Sequence, residues 1–171
     1  MSYLYLTLLI VFMDQGVKWL VQTKMFPYQN ISIISHFFGL TYVRNYGAAF
    51  GILNSQTWLL IGLTIAVFAV IWFHRRDLQN HTPIFQIGLA MALGGAVGNF
   101  FDRVRLGYVV DLFDFYVWPV FNVADMGIVV GVTFIALGMF QQEIGHGFNK
   151  FRAFKEDPEP NSQAISKEES E

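Results

Sequence analysis

Asp111 and Asp125 are the residues whose type and placement offer a reaction. Asp111 follows Val109-Val110, a short apolar approach that reads as strand-like. Asp125 follows Phe121-Asn122-Val123-Ala124 and opens a long apolar stretch. Each has an ordinary explanation. An acid at a helix start caps it or favours its dipole. Asp111 can be a solvated loop carboxylate, the role expected of its neighbour Asp114. Yet the apolar stretches before and after them are consecutive, so their outer ends should meet and set the two carboxylates face to face. Like charges a few Å apart do not both ionise easily, and one proton affinity rises. Such a pair can hold a water, deprotonate it with one carboxylate and protonate a leaving group with the other.

The elements that must position this pair are apolar. The chain has 171 residues, of which 54% are apolar and 14% charged, with a net charge of −2. Ordinary globular chains carry about 25% charged residues. Four stretches are expected to span a membrane as helices, at about 3–21, 57–73, 83–101 and 124–140. A hydrocarbon core is about 30 Å thick, and a span within it must satisfy its backbone internally. The first stretch lacks a basic start and a small-residue cleavage site, so it reads as a retained helix and not a signal peptide. Five Lys/Arg flank the side holding both termini against four on the other, which places both termini inside. Two outer segments remain, 24–56 and 104–123. In the first, Ile31 to Ile34 and Phe38 to Val43 read as short strands on the membrane surface. Asn45 to Ile52 reads as a turn or short helix. Residues 154–171 hold two Lys against six Asp/Glu and have the composition of a disordered cytoplasmic tail. Residues 1–153, with nine Lys/Arg against seven Asp/Glu, form the membrane domain.

A charge in or near a bilayer is costly and asks for a reason. Asp14 and Lys18 are four apart, which puts them on one helix face as an ion pair. They read as a structural pair near the outer helix end, with Lys18 snorkelling to the surface. Asp102 and Arg103 end the third stretch. Asn99, one turn before Arg103, makes that face a candidate site lining.

Other chemistries have little support. Zero cysteines remove disulfides, thiolate metal sites and a cysteine nucleophile. The four histidines are scattered, with none at metal-ligand spacing. No metal and no cofactor is expected. The run Gly94-Gly95-Ala96-Val97-Gly98 lies in an apolar stretch, where small residues allow close helix packing. A transporter subunit is the rival from another class. It would carry polar groups through the bilayer centre, whereas the ionisable groups here gather at the outer end. A non-catalytic membrane partner is a third reading, and it predicts no penalty for neutralising either aspartate.

Five segments together resemble the lipoprotein signal peptidase (signal peptidase II) family. They are Asp14-Gln15-Gly16-Val17-Lys18, Arg44-Asn45-Tyr46-Gly47-Ala48-Ala49-Phe50, Gly98-Asn99-Phe100-Phe101-Asp102-Arg103, Val109-Val110-Asp111 and Phe121-Asn122-Val123-Ala124-Asp125. They occur in the family's order, across about residues 3–142.

The resemblance implies an α-helical integral membrane protein with four transmembrane helices, a small extracytoplasmic β-sheet cradle and a short helix. It implies an aspartic endopeptidase of the bacterial inner membrane, multi-pass, with its active site at the outer face. Such an enzyme removes signal peptides from prolipoproteins, cleaving N-terminal to the diacylglyceryl-modified cysteine. Asp111 and Asp125 fall on the catalytic positions. Asn45, Gly98, Asn99, Arg103 and Asn122 fall on substrate-binding or orienting positions, and Asp14 and Lys18 on structural polar ones. The expected partners are lipid-modified prolipoproteins and membrane lipids, with no nucleic acid, and the chain is expected to be monomeric. Gly51, Leu112 and Met126 depart from the usual pattern, and Met126, beside Asp125, is expected to narrow the cleft.

Overall fold

The computed structural model describes residues 2–47, 53 and 55–156. Its order is α1 (Ser2–Lys24), β1 (Asn30–Ile34), β2 (Phe38–Asn45), α2 (Thr57–Phe73), α3 (Arg75–Leu78), α4 (Pro83–Leu106), β3 (Val109–Asp114) and α5 (Val123–Glu156). Among the described residues, three helices are long and apolar enough to cross a membrane: Tyr3–Lys24, Pro83–Leu106 and Val123–Gly145. The fourth expected span, α2, is a shorter apolar helix of 17 residues.

Helix α4 is the central element and packs on both α1 and α5. Its start is set by Thr82, whose hydroxyl accepts the Phe85 N–H at 3.4 Å, followed by Pro83 at the first helical position. Its end is set by Gly107 at φ +80°, a left-handed cap that glycine adopts without strain. The sequence places glycines where α4 meets its neighbours. A Cβ on Gly94 would lie 2.9 Å from Ile10 Cβ of α1, and one on Gly88 would lie 2.6 Å from the Gly131 carbonyl of α5. The glycine run therefore serves close helix packing.

The expected strands are β1 and β2, joined antiparallel, and β3 completes the sheet in the order β1-β2-β3. Val43 pairs with Asp111 and Asn45 with Val109, which carries the end of β2 alongside Asp111. Val21 of α1 and Met25 just after it pack with Tyr42, Val110 and Leu112, fixing the sheet over one end of the helices. The helices outrun the apolar stretches that announced them. α4 continues past residue 101 through Asp102-Arg103 to Leu106, and α5 continues in polar sequence to Glu156. Most of the turn or short helix expected at 45–52, with Gly51, and residues 157–171 of the tail lie outside the described residues.

Candidate active site

Asp125 is placed by local sequence. Asn122 precedes the first turn of α5, its Oδ1 accepts the Asp125 N–H at 2.9 Å, and Asp125 Oδ2 accepts the Asn122 N–H at 3.2 Å. This reciprocal pair is a capping box, in which each side chain satisfies an orphan donor at the helix start. Asp111 is placed by the sheet. It sits in β3 and is 2% exposed. The cap residue joins the two, because Asn122 Nδ2 also donates to Asp111 Oδ1 at 2.6 Å.

Two further asparagines supply the other contacts to the carboxylates. Asn45, ending β2, donates from Nδ2 to Asp111 Oδ2 at 2.9 Å. Asn99 on α4 donates from Nδ2 to Asp125 Oδ1 at 2.8 Å, and its Oδ1 accepts Asn122 Nδ2 at 3.2 Å. Every carboxylate oxygen of the pair thus receives an N–H. Arg103 reaches back to the loop after β2, donating from Nη2 to the Gly47 carbonyl at 3.1 Å, and its charge lies near both carboxylates. Burial pushes the Asp111 carboxyl up to about 7, with the neighbouring Asp125 charge pushing the same way. The Asn45 and Asn122 amides and the Lys18 charge oppose this without cancelling it.

The pair opens on a cavity of about 1240 Å³. Asn45, Asn99 and Arg103 line it beside the carboxylates, and Ala96, Ile128 and Val129 extend it as an apolar wall between the helices. Met126 also lines it, as its position beside Asp125 suggested. Among the described residues no three His, Asp or Glu side chains gather as a metal ion would require.

Asp14 and Lys18 do pair, at 2.8 Å, but Lys18 is fully buried and does not snorkel. Asp102 is not the partner of its neighbour Arg103. It turns to Lys18 at 3.0 Å, making a buried triad. The packing of α1 on α4 delivers it there, which sequence spacing alone does not reveal. Gly98 lies on the triad side, where a Cβ would come within 2.6 Å of Asp14 Oδ2. Gln15 was missed by sequence reasoning. Its Nε2 lies 3.1 Å from Asp14 Oδ2, 3.0 Å from Asp102 Oδ1 and 3.2 Å from the Gly98 carbonyl. Its one signal is a polar amide beside Asp14 in an apolar helix. Asp114 is also no free loop carboxylate. It ends β3 and accepts the Thr41 hydroxyl at 2.6 Å.

The family model for signal peptidase (SPase) II matches residues 6–141. The chain belongs to the signal peptidase II family. It is therefore a peptidase, and its long apolar helices fit a membrane-embedded member. The chain is 45% identical over 135 residues to the lipoprotein signal peptidase of Moorella thermoacetica, covering 79% of this chain and 90% of the relative. It is 47% identical over 127 residues to that of Caldanaerobacter subterraneus, covering 74% and 87%. A solved bacterial membrane enzyme matches with a TM-score of 0.76 at 32% identity, covering 83% of this chain and 89% of the other.

Proposed function

We propose that this peptidase removes signal peptides from prolipoproteins, cleaving N-terminal to the diacylglyceryl-modified cysteine, with Asp111 and Asp125 as an aspartic dyad. The names of its relatives support the substrate class. The observation that carries the mechanism is the shared residue Asn122, whose side-chain amide holds the Asp111 carboxylate and whose backbone N–H holds the Asp125 carboxylate at the head of the cavity.

The dyad works with one proton between two carboxylates. Burial favours the protonated form of Asp111. Asp125 then takes a proton from water as the water attacks the scissile carbonyl. The Asp111 proton passes to the carbonyl oxygen and completes a gem-diol, which collapses as the Asp125 proton passes to the leaving amine and one gem-diol hydroxyl returns its proton to Asp111. Asn45, Asn99 and Asn122 orient the carboxylates, and Arg103, beside both, grips substrate carbonyl oxygens. The apolar wall accepts acyl chains, so that the lipid sets the depth and orientation of the scissile bond.

In the membrane, α2 makes a fourth crossing beside α1, α4 and α5. Both termini face the cytoplasm of a bacterial cell, the sheet lies on the outer face of the inner membrane, and the enzyme acts as a monomer among membrane lipids. Residues 1–153 form the peptidase unit, and 154–171 an acidic cytoplasmic tail whose first three residues belong to α5.

The test is the mass shift of a lipid-modified prolipoprotein mixed with purified protein in detergent. Wild type is expected to release the signal peptide. Asp111→Asn and Asp125→Asn are expected to fold and to lose cleavage by about 10²-fold or more. Undiminished cleavage by both variants removes the dyad.

A further inference from the structure

The buried triad is more than a neutralised charge. Lys18, Asp14 and Asp102 are each essentially inaccessible to solvent. A buried ion cluster is a poor source of stability, since apolar residues of similar volume often serve as well or better. Its contacts point to another role.

Lys18 has three N–H donors and three acceptors. They are Asp14 Oδ2 at 2.8 Å, Asp102 Oδ2 at 3.0 Å and Asn99 Oδ1 at 3.0 Å. Each carboxylate also grips one backbone amide from another element. Asp14 Oδ1 accepts the N–H of Ala124 at 2.9 Å, and Asp102 Oδ2 accepts the N–H of Val110 at 3.1 Å. Ala124 is the residue before Asp125, and Val110 is the residue before Asp111. One ammonium therefore ties together the two backbone points from which the site carboxylates project.

The third contact sets polarity. With its Oδ1 held by Lys18 and by Asn122 Nδ2, Asn99 must turn its Nδ2 toward Asp125. A flipped amide would set an NH2 group against the ammonium and an oxygen against a carboxylate.

We propose that Lys18, Asp14 and Asp102 are positioning residues, a brace that fixes the spacing of Asp111 and Asp125 and the donor direction of Asn99. The inference rests on the dyad reading above. It assigns no contact with substrate to the triad.

The experiment compares four variants in steady-state cleavage of a lipid-modified prolipoprotein across pH. Asp14→Glu and Lys18→Arg keep the charge and change the length. Asp14→Asn and Asp102→Asn keep the size and an oxygen for the backbone amide. Folding is read from melting in detergent. A small misplacement of reacting groups costs up to about 10²-fold in rate. Folded variants are expected to lose on the order of tenfold to a hundredfold in kcat, with KM changed by less than about twofold. The pH limb of kcat should be displaced as well. Asp111 faces Asp125 from α5, Lys18 from α1 and Arg103 from α4, together with the Asn45 and Asn122 amides, and its distance from these charges changes.

Folded variants with unchanged kcat and pH profile overturn the brace, as does an effect confined to KM. Failure of all four variants to fold makes the triad a folding element and overturns it too. Asp111→Asn and Asp125→Asn are run in parallel. Cleavage by those two refutes the dyad itself, a result distinct from any outcome for the brace.

Discussion

Asn122 Nδ2 lies 2.6 Å from Asp111 Oδ1, while the Oδ1 of the same side chain accepts the Asp125 N–H at 2.9 Å. One buried amide therefore spans the site, from the start of α5 to the middle of β3.

Asn122→Ala removes both links. The lost cap costs about 1 kcal/mol. The Asn122 hydrogen bond favours ionised Asp111, so its loss pushes the Asp111 carboxyl further above 7. The alkaline limb of cleavage should move to higher pH, while the rate at the optimum falls by about 10²-fold. A pH–rate profile on the purified variant checks both. A limb that moves to lower pH would contradict this view of the Asn122 contact.

The raised Asp111 carboxyl also makes stability depend on pH. Its ordinary value is 3.8 and its folded value about 7, with burial as the main cause. Below 3.8 both folded and unfolded forms are protonated, and the burial of a neutral group is little penalised. As pH rises through 7 the unfolded state has already released its proton, and the folded state must bury a charge. Stability is lost across that window. Asp111→Asn carries no such charge. Between pH 4 and pH 8 its melting temperature should therefore gain on wild type by several degrees, at about 2–4 °C per kcal/mol for a chain of this size. Parallel melting curves at the two pH values that show no relative gain would count against a buried, proton-holding Asp111.

Much of this site was legible in the sequence, and the misses share a cause. Asn122-Val123-Ala124-Asp125 carries its geometry locally, because a capping box closes within one turn. Asp14 and Lys18 were legible as a pair because helical spacing alone brings them together. Asp102 was not. Its choice of Lys18 over Arg103 depends on α1 resting against α4, which the small size of Gly94 and Gly98 permits. The contact of Asn45 with Asp111 depends likewise on the β2–β3 register, which no local pattern encodes. The expected helix ends fell short for a different reason. Apolar content marks where lipid can lie, whereas α4 and α5 keep their hydrogen-bonded backbone into polar sequence.

Asp114 is the control among the carboxylates of β3 and its surroundings. It accepts the Thr41 hydroxyl at 2.6 Å and the Tyr116 N–H at 2.8 Å, and Thr41 in turn accepts Asn30 Nδ2 at 2.6 Å. This chain laces the three strands at the far end of β3 from Val109. Asp114→Asn should leave cleavage within about twofold of wild type and cost about 1 kcal/mol of stability, the worth of a typical hydrogen bond. Activity and melting measured on the same preparation decide it. Complete loss of cleavage in a folded protein would transfer the catalytic role to Asp114.

Helix packing and chemistry meet at Gly95. A Cβ there would collide with the Ala124 carbonyl of α5 and lie 2.8 Å from Ile128 Cγ1. Ala124 is the residue whose N–H Asp14 holds, and it stands directly before Asp125. Gly95→Ala must therefore push the first turn of α5 off α4, with overpacking that costs about 1–3 kcal/mol. It should also carry Asp125 away from Asn99. The rate should fall more than about tenfold even where the protein remains folded, since reacting groups tolerate little displacement. Gly16→Ala is the matched control in α1, where an added Cβ meets nothing within 4 Å. Replacing glycine by alanine inside a helix favours folding by about 1 kcal/mol. That variant should melt higher and cleave as wild type does. The two substitutions add the same methyl group, so equal effects on cleavage would show that the α4–α5 contact does not set the position of Asp125.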